Sequence, residues 1–481
     1  MRRENLLAVA LCLAVFLLVP ASAPVLAQAP GDSGDAGASE GGTEGSLPPV
    51  PPARDPRIHE LIDAVSAERI EADVRTLAGF GTRHTMSETE SETRGIGATR
   101  RWIEEELRAI SEDCGGCLEV FTQTSVVSGE TRIPEPTEVV NVVAVLRGET
   151  DPDRYVIMSG DVDSRVSDVM DATSDAPGAN DNATGMAGAI EAARVFARRH
   201  AAGERFGASI VFAGLSGEEQ GLFGGRHMAE VAREEGWRIE AVLNNDMIGN
   251  IAGIDGVIDN TSARVFSESP AAGTTEEELR LMRFFGGEVD SPSRQLARYV
   301  DRMAEEYFPQ LDTMMVYRLD RFGRGGHHRP FNDEGFPAVR IMETHEHYDR
   351  QHQDLRVEDG RHYGDTVEFV DFDYAAKLTA LNVATLASLA WAPPPPEGVT
   401  ISGAVAPAAT LRWEPVEAPE LAGYKVYWRL TTSPTWDHWV WVGLETEREM
   451  EGLVVDNYLF GVAAVGADGH ESPVVFPEPA R

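Results

Sequence analysis

The sequence predicts an α/β fold. It is a three-layer open, mostly parallel sheet with helices on both faces, followed by a small all-β sandwich. Three observations predict it. Between Ile58 and Trp391, short apolar runs alternate with stretches of helical period, the pattern of strands joined by crossover helices. Beyond Trp391, four consecutive prolines, Pro393–Pro396, interrupt the chain, and the apolar period then changes to two, as expected of strands with one buried face. The chain has 481 residues and is 42% hydrophobic, enough for two to four domains with real cores.

The elements follow in order. The N-terminus reads M-R-R-E-N, then a nearly all-apolar Leu6–Pro20, then small residues ending Val25-Leu26-Ala27. This is a signal peptide over residues 1–27; its apolar core is short for a membrane span. Residues 28–57 are Gly, Ser, Ala, Pro and acid, a disordered linker. In the α/β unit, 58–392, helical periods cover Arg94–Ser111, Thr184–His200, Phe223–Glu235, Ser293–Phe308 and Asp373–Trp391. Strand-like runs are Val139–Leu146, Tyr155–Ser159, Ala208–Leu215, Ile239–Leu243, Met314–Leu319 and Ala338–Met342. The prolines form a stiff linker. In 398–481, Thr410–Trp413, Gly423–Arg429, His438–Val442 and Tyr458–Val465 alternate with period two. This unit resembles a fibronectin type III domain, with Trp413 as core tryptophan and Tyr458 as late-strand tyrosine.

Charge and cysteine narrow the function. Lys and Arg number 42 and Asp and Glu 79, a net charge of −37. Nucleic acid, which needs a basic partner surface, is excluded on this ground, as is docking on anionic lipid. Signal cleavage removes Cys12, leaving Cys114 and Cys117 in C-G-G-C. In an exported protein the pair reads as a small disulfide at a turn. No thioredoxin-like pattern surrounds it, and no second pair completes a zinc knuckle.

The strand ends carry the chemistry. The run Y-V-I-M-S-G leads into Asp161 and Asp163, and the loop P-G-A-N-D-N delivers Asp181 ahead of a helix. A-S-I-V-F-A-G-L-S-G ends in Glu218-Glu219, and I-E-A-V-L-N-N in Asp246. P-A-V-R-I-M ends in Glu343, with His345, His347 and His352 beyond. In an open α/β sheet such ends share one crevice. Carboxylates crowded there repel one another unless a cation holds them.

The motifs G-D-V-D-S, P-G-A-N-D-N-A-T-G, S-G-E-E-Q-G-L-F-G-G, N-N-D-M-I-G and Y-D-R-Q-H resemble those of metallopeptidase family 28, over roughly Ile58 to Trp391. The resemblance implies a zinc-exopeptidase fold with two divalent metal ions, zinc by preference. Asp181 would bridge the metals and Asp246 would serve the first. Glu219 and His352 would hold the second, and Glu218 would be the general base. The departure is Asp161, where the family carries His. An all-oxygen first site of Asp161, Asp181 and Asp246 would be weaker, or would accept manganese or cobalt; loss of that site is the alternative. Asp163 would support the site. His328 rather than His327 would steady the oxyanion, and His352 rather than His345 or His347 would be the ligand.

The resemblance thus implies an exported, periplasmic or extracellular aminopeptidase acting on peptides, without membrane insertion once the signal is removed. A one-zinc glutaminyl cyclase-like acyl transferase and a non-catalytic binding protein are the alternatives. A carboxypeptidase for acidic C-termini would need an arginine cluster, which the sequence does not place.

Overall fold

The computed structural model describes residues 50–480. The signal peptide and the linker as far as residue 49 lie outside the described residues. The last linker residues are ordered: Asp55 is buried against His470 (3.1 Å) and pairs with Arg57.

The larger part of the chain builds one eight-stranded sheet. Its strands are β1 (Leu118–Val127), β2 (Thr137–Leu146), β3 (Asp151–Asp161), β4 (Ala208–Leu215), β5 (Arg238–Asn245), β6 (Ser262–Phe266), β7 (Asp312–Val316) and β8 (Ala338–Glu343). Their spatial order is β1-β2-β4-β3-β5-β8-β6-β7. The middle, β4-β3-β5-β8, is parallel. The β6/β7 pairing is parallel too, while β1/β2, β2/β4 and β6/β8 are antiparallel, so the sheet is mixed with the majority of its pairings parallel, as expected. The central strands are buried along nearly their whole length, as parallel strands covered on both faces must be. Edge strand β1 instead alternates buried and exposed residues.

Helices cover both faces. Gly95–Asp113, Gly185–Ala201, Pro292–Tyr307 and Phe372–Trp391 pack one face into the main core, around Met158, Phe196, Phe212 and Leu243. Phe223–Glu235 and His328–Asp333 close the other with Met228, Ala229 and Phe331. The chemistry of the termini is visible. Ser291 caps its helix through the Arg294 N–H with Pro292 at the first turn, and Asp371 caps the last helix through the Tyr374 N–H, each cap worth about 1 kcal/mol. At the end of Gly95–Asp113, Cys114 and Cys117 form a disulfide. The residues between them, Gly115 and Gly116, have φ of +80° and +86°, a region where glycine escapes the Cβ clash.

The C-terminal part is a sandwich of a four-stranded and a three-stranded sheet. Trp413, Tyr424, Val426, Phe460 and Val462 fill its core. The proline joint does not hold it apart from the α/β part. Asp290 takes Arg429 of the sandwich (2.8 and 2.9 Å) and Arg298 (2.9 Å) in a buried cluster. Arg302 reaches Glu471 (2.6 Å) and the Tyr427 hydroxyl (2.8 Å), and the Tyr299 hydroxyl donates to the Glu471 carbonyl (2.9 Å). Burial alone would raise the Glu471 carboxyl, but Arg302 and Lys425 outweigh it and hold it at about 2. Stripping one partner from such pairs leaves a buried charge uncompensated, so the two parts are energetically joined.

Candidate metal centre and active site

The parallel order β4-β3-β5-β8 sets the C-terminal ends of four strands side by side. Asp161, Glu218-Glu219, Asp246 and Glu343 leave the sheet along one edge. Two loops complete the crevice. The turn Ala179–Thr184 presents Asp181 and is held by the Asp365 carboxylate, which accepts the N–H groups of Asn180 (2.9 Å) and Asp181 (2.6 Å). A second loop brings His352 over it with φ +52°. For a residue with a Cβ that conformation costs on the order of 1–3 kcal/mol and is kept where the surroundings enforce it.

Three side chains converge. His352 Nε2 lies 2.8 Å from Asp181 Oδ2 and 2.9 Å from Glu219 Oε1, and one donor atom from each falls within 4.8 Å of the others. One imidazole and two carboxylates are a donor set suited to zinc. The charges are coupled. Burial raises Asp181 and Glu219, but the His352 ring and nearby arginines pull both below the ordinary carboxylate range. The same carboxylates, against burial, lift His352 to about 9. A metal ion held by the three would have to displace the proton on His352 Nε2.

Asp163 stands behind this set. Its two oxygens accept the N–H groups of Glu218 and Glu219 (both 3.1 Å), and the Thr85 hydroxyl donates to it (2.9 Å). It fixes the turn that aims both glutamates, the supporting place expected of it. The Glu218 side chain itself makes no hydrogen bond among the described residues and lines the crevice. Burial, with Glu219 and Asp246 close by, pushes its carboxyl well above the usual value.

The first ligand set does not assemble. Asp161 is buried, one oxygen 2.6 Å from His327 Nδ1 and the other accepting from Asn182 Nδ2 at 2.7 Å. Asp246 pairs with Arg340 at 2.6 Å. Asp181 turns to His352 instead of bridging two centres. Among the described residues, no cluster of metal donors contains Asp161 or Asp246. The expectation that both are ligands is not met by this geometry: both Asp161 oxygens have partners, and Asp246 faces Arg340 through Oδ2 while Oδ1 has no partner.

His328 is a second correction. It is fully buried, with Nε2 2.7 Å from the Leu319 carbonyl and 3.7 Å from Asp320, and it does not line the crevice. His327, one residue earlier, faces the site through Asp161, and its Nε2 has no partner. Burial pushes that ring down to about 4, so it is neutral. His345 lies by Asp255 and Asp259, and His347 lines a separate small cavity.

The crevice above the centre has a volume of about 500 Å³. Asp181, Glu218, Glu219, Asp246 and His352 line it, and so do Arg132, Arg165, Arg226, Arg321, Arg324 and Arg329. Arg165 pairs with Glu219 Oε2 (2.8 Å) and approaches His352 Nδ1 (2.6 Å), while Arg132 donates to the Glu219 carbonyl (2.7 Å). Arg329 has no carboxylate within ion-pair distance among the described residues, and its Nε is buried without a partner. Sequence reading missed these arginines, as it missed Arg340 and Asp365, and it passed over His327 in favour of His328. Arg165 directly follows D-V-D-S and Arg340 lies within P-A-V-R-I-M, but no spacing rule announces them. A larger cleft of about 1290 Å³, beside the sandwich, contains none of the strand-end carboxylates.

A mixed sheet with a zinc-type donor triad and an unpaired glutamate beside it has the form of a zinc peptidase. Residues 141–366 match the model of Peptidase family M28. Over 431 residues, 89% of this chain and 99% of the relative, the sequence is 42% identical to a probable zinc metalloprotease of Leptosphaeria maculans. A probable zinc metalloprotease of Pyricularia oryzae is 43% identical over 88% of this chain and 85% of its own length. The chain belongs to peptidase family M28 and is a zinc-dependent peptidase. The crystal structure of the Legionella pneumophila LapA aminopeptidase superposes on 70% of this chain and 74% of that one, with a TM-score of 0.50 at 18% identity; it shares the fold.

Proposed function

We propose that this peptidase is an exported aminopeptidase in which Asp181, Glu219 and His352 hold zinc and Glu218 is the general base. The observation that carries the reading is the unpaired Glu218 carboxylate, one residue from the donor Glu219 and open to the crevice. When bound, zinc supplies Lewis acidity and lowers the pKa of a coordinated water. Glu218 takes the proton of the attacking water and returns it to the leaving amine. Asp163 keeps the Glu218-Glu219 turn in register through its two backbone bonds. Asp246 lines the crevice with Oδ1 buried and unpartnered. A substrate N-terminal ammonium entering the crevice would meet the Asp246 and Glu218 carboxyls that line it, which supports the aminopeptidase reading. The Cys114–Cys117 disulfide and the N-terminal signal pattern support export, and Trp413 in the sandwich core supports the fibronectin type III likeness.

A second reading is favoured by the arginine wall. Six of the crevice-lining residues are arginines, a setting that matches a carboxylate-bearing substrate and hence a carboxypeptidase for acidic C-termini. One panel separates the two. Aminoacyl-anilides with free amines should be cleaved in a chelator-sensitive manner, acidic residues next to the cleavage point being preferred. Cleavage confined to N-blocked peptides with acidic C-termini would replace the aminopeptidase by the carboxypeptidase. A glutaminyl peptide in the same panel separates attack by the substrate's own amine from attack by water.

A further inference from the structure

We infer that this is a one-zinc peptidase in which the buried guanidinium of Arg340 occupies the role of the second cation, pairing with Asp246 where the family resemblance leads one to expect another metal. The inference rests on the zinc set of Asp181, Glu219 and His352 proposed above.

Arg340 enters from the middle of β8, beside β5, whose end carries Asp246. It has no exposed surface. Nη2 lies 2.6 Å from Asp246 Oδ2, while Nη1 reaches both oxygens of Asp320 (3.1 and 3.0 Å) and the Gly325 carbonyl (3.0 Å). Anchored from below by Asp320, the guanidinium is fixed rather than swinging. A divalent ion on Asp246 would sit beside this permanent positive charge, which has no exposed surface, unlike Arg165 beside Glu219, whose side chain is 17% exposed; around Arg340 no water screens the repulsion.

A second observation points the same way from another strand. Asp161 stands where the resembled family carries His, so the set has lost its nitrogen donor. Both Asp161 oxygens are already engaged, by His327 Nδ1 at 2.6 Å and Asn182 Nδ2 at 2.7 Å. The third member, Asp181, is committed to His352. Loss of the imidazole on β3 and a fixed cation on β8 are complementary changes: one removes a ligand, the other sets a fixed positive charge against Asp246. Arg340 is therefore a positioning and charge-balancing residue. It holds Asp246 through Oδ2.

Zinc counting on the full chain tests this. The metal-free protein, titrated calorimetrically with zinc and then checked by elemental analysis, should bind one ion per chain. Two ions per chain would overturn the inference. No zinc at all would overturn it together with the site on which it rests, and the count distinguishes these failures. Asp246→Asn should leave the stoichiometry at one and change zinc affinity by less than about threefold, since that carboxylate is not a ligand; a loss of tenfold or more would overturn the inference. Arg340→Met removes the guanidinium and should admit a second, weaker zinc; a folded variant that still binds only one would show that the guanidinium is not what excludes it. Should Arg340→Met fail to fold, the wild-type count and Asp246→Asn still decide the question.

Discussion

The two halves of the crevice are built from the same material and behave differently. On one side Asp181, Glu219 and His352 face one another within hydrogen-bond distance, with Arg165 against Glu219. On the other, Asp161 and Asp246 also leave the ends of neighbouring parallel strands, yet each faces its own protein partner, His327 with Asn182 or Arg340. The difference teaches that carboxylates at a sheet edge do not count metals. A buried carboxylate needs compensation. Asp161 and Asp246 face partners with no exposed surface, His327 and Arg340, whereas Glu219 faces the titratable His352 ring and Arg165, which is partly exposed, and there the place is left for a metal.

The sharpest way to break this comparison is to remove the ring. His352→Ala deletes the one nitrogen donor and leaves Asp181 and Glu219 facing each other. We expect zinc affinity to fall by more than about a hundredfold, beyond what loss of an outer partner causes, and activity to fall with it. Competition against a chelator measures this; near-normal affinity would place the metal elsewhere. Next in size is Glu218→Gln. It should retain zinc and fold but lower turnover by about 10²–10⁴-fold, the usual contribution of a proton-transfer group. Turnover within a few-fold of wild type would remove Glu218 as base.

Asp163→Asn probes how far the working half depends on its support. Asn keeps the shape but can offer only one oxygen to the two N–H groups of Glu218 and Glu219. Loss of an outer orienting partner costs about 10–100-fold in metal affinity or activity, and we expect that range here. An unchanged kcat with unchanged zinc affinity would show that the turn holds its own shape.

Much of this contrast was legible in the sequence, and the illegible part has a physical cause. Period and apolar runs located Ala208–Leu215 and Phe223–Glu235 to the residue, because fully buried strands and one-sided helices leave strong patterns. β1 was missed because its outward-facing polar residues break the apolar run, and β6 because five residues inside a motif-poor segment give too little period. The zinc-side residues are legible since their order and local motifs carry over. Arg340 is not. One arginine in a chain with 42 basic residues becomes informative only once the pairing of β5 with β8 sets it against Asp246. His327 and His328 are adjacent, so only the entry into the helix His328–Asp333 decides which ring faces Asp161. Nor do the prolines reveal that Arg429 and Glu471 reach back to Asp290 and Arg302.

The smallest expected effect comes from restoring the family residue, Asp161→His. On sequence grounds alone the change should rebuild the first site. The structure gives three reasons why it should not. Arg340 remains paired with Asp246 at 2.6 Å, so the repelling charge stays. Asp181 remains with His352. The new ring would meet His327 Nδ1 and Asn182 Nδ2, donors now served by the Asp161 carboxylate. We therefore expect the zinc count to stay at one and affinity at the Asp181–Glu219–His352 set to shift by less than about threefold, well under one kcal/mol. The cost should appear in folding instead: a buried donor left without its acceptor loses about 1–3 kcal/mol, read as a lower urea midpoint at unchanged slope. A second zinc in Asp161→His, with Arg340 still present, would show that the missing imidazole alone had closed the first site, and the division of the crevice into a metal half and an arginine half would have to be redrawn.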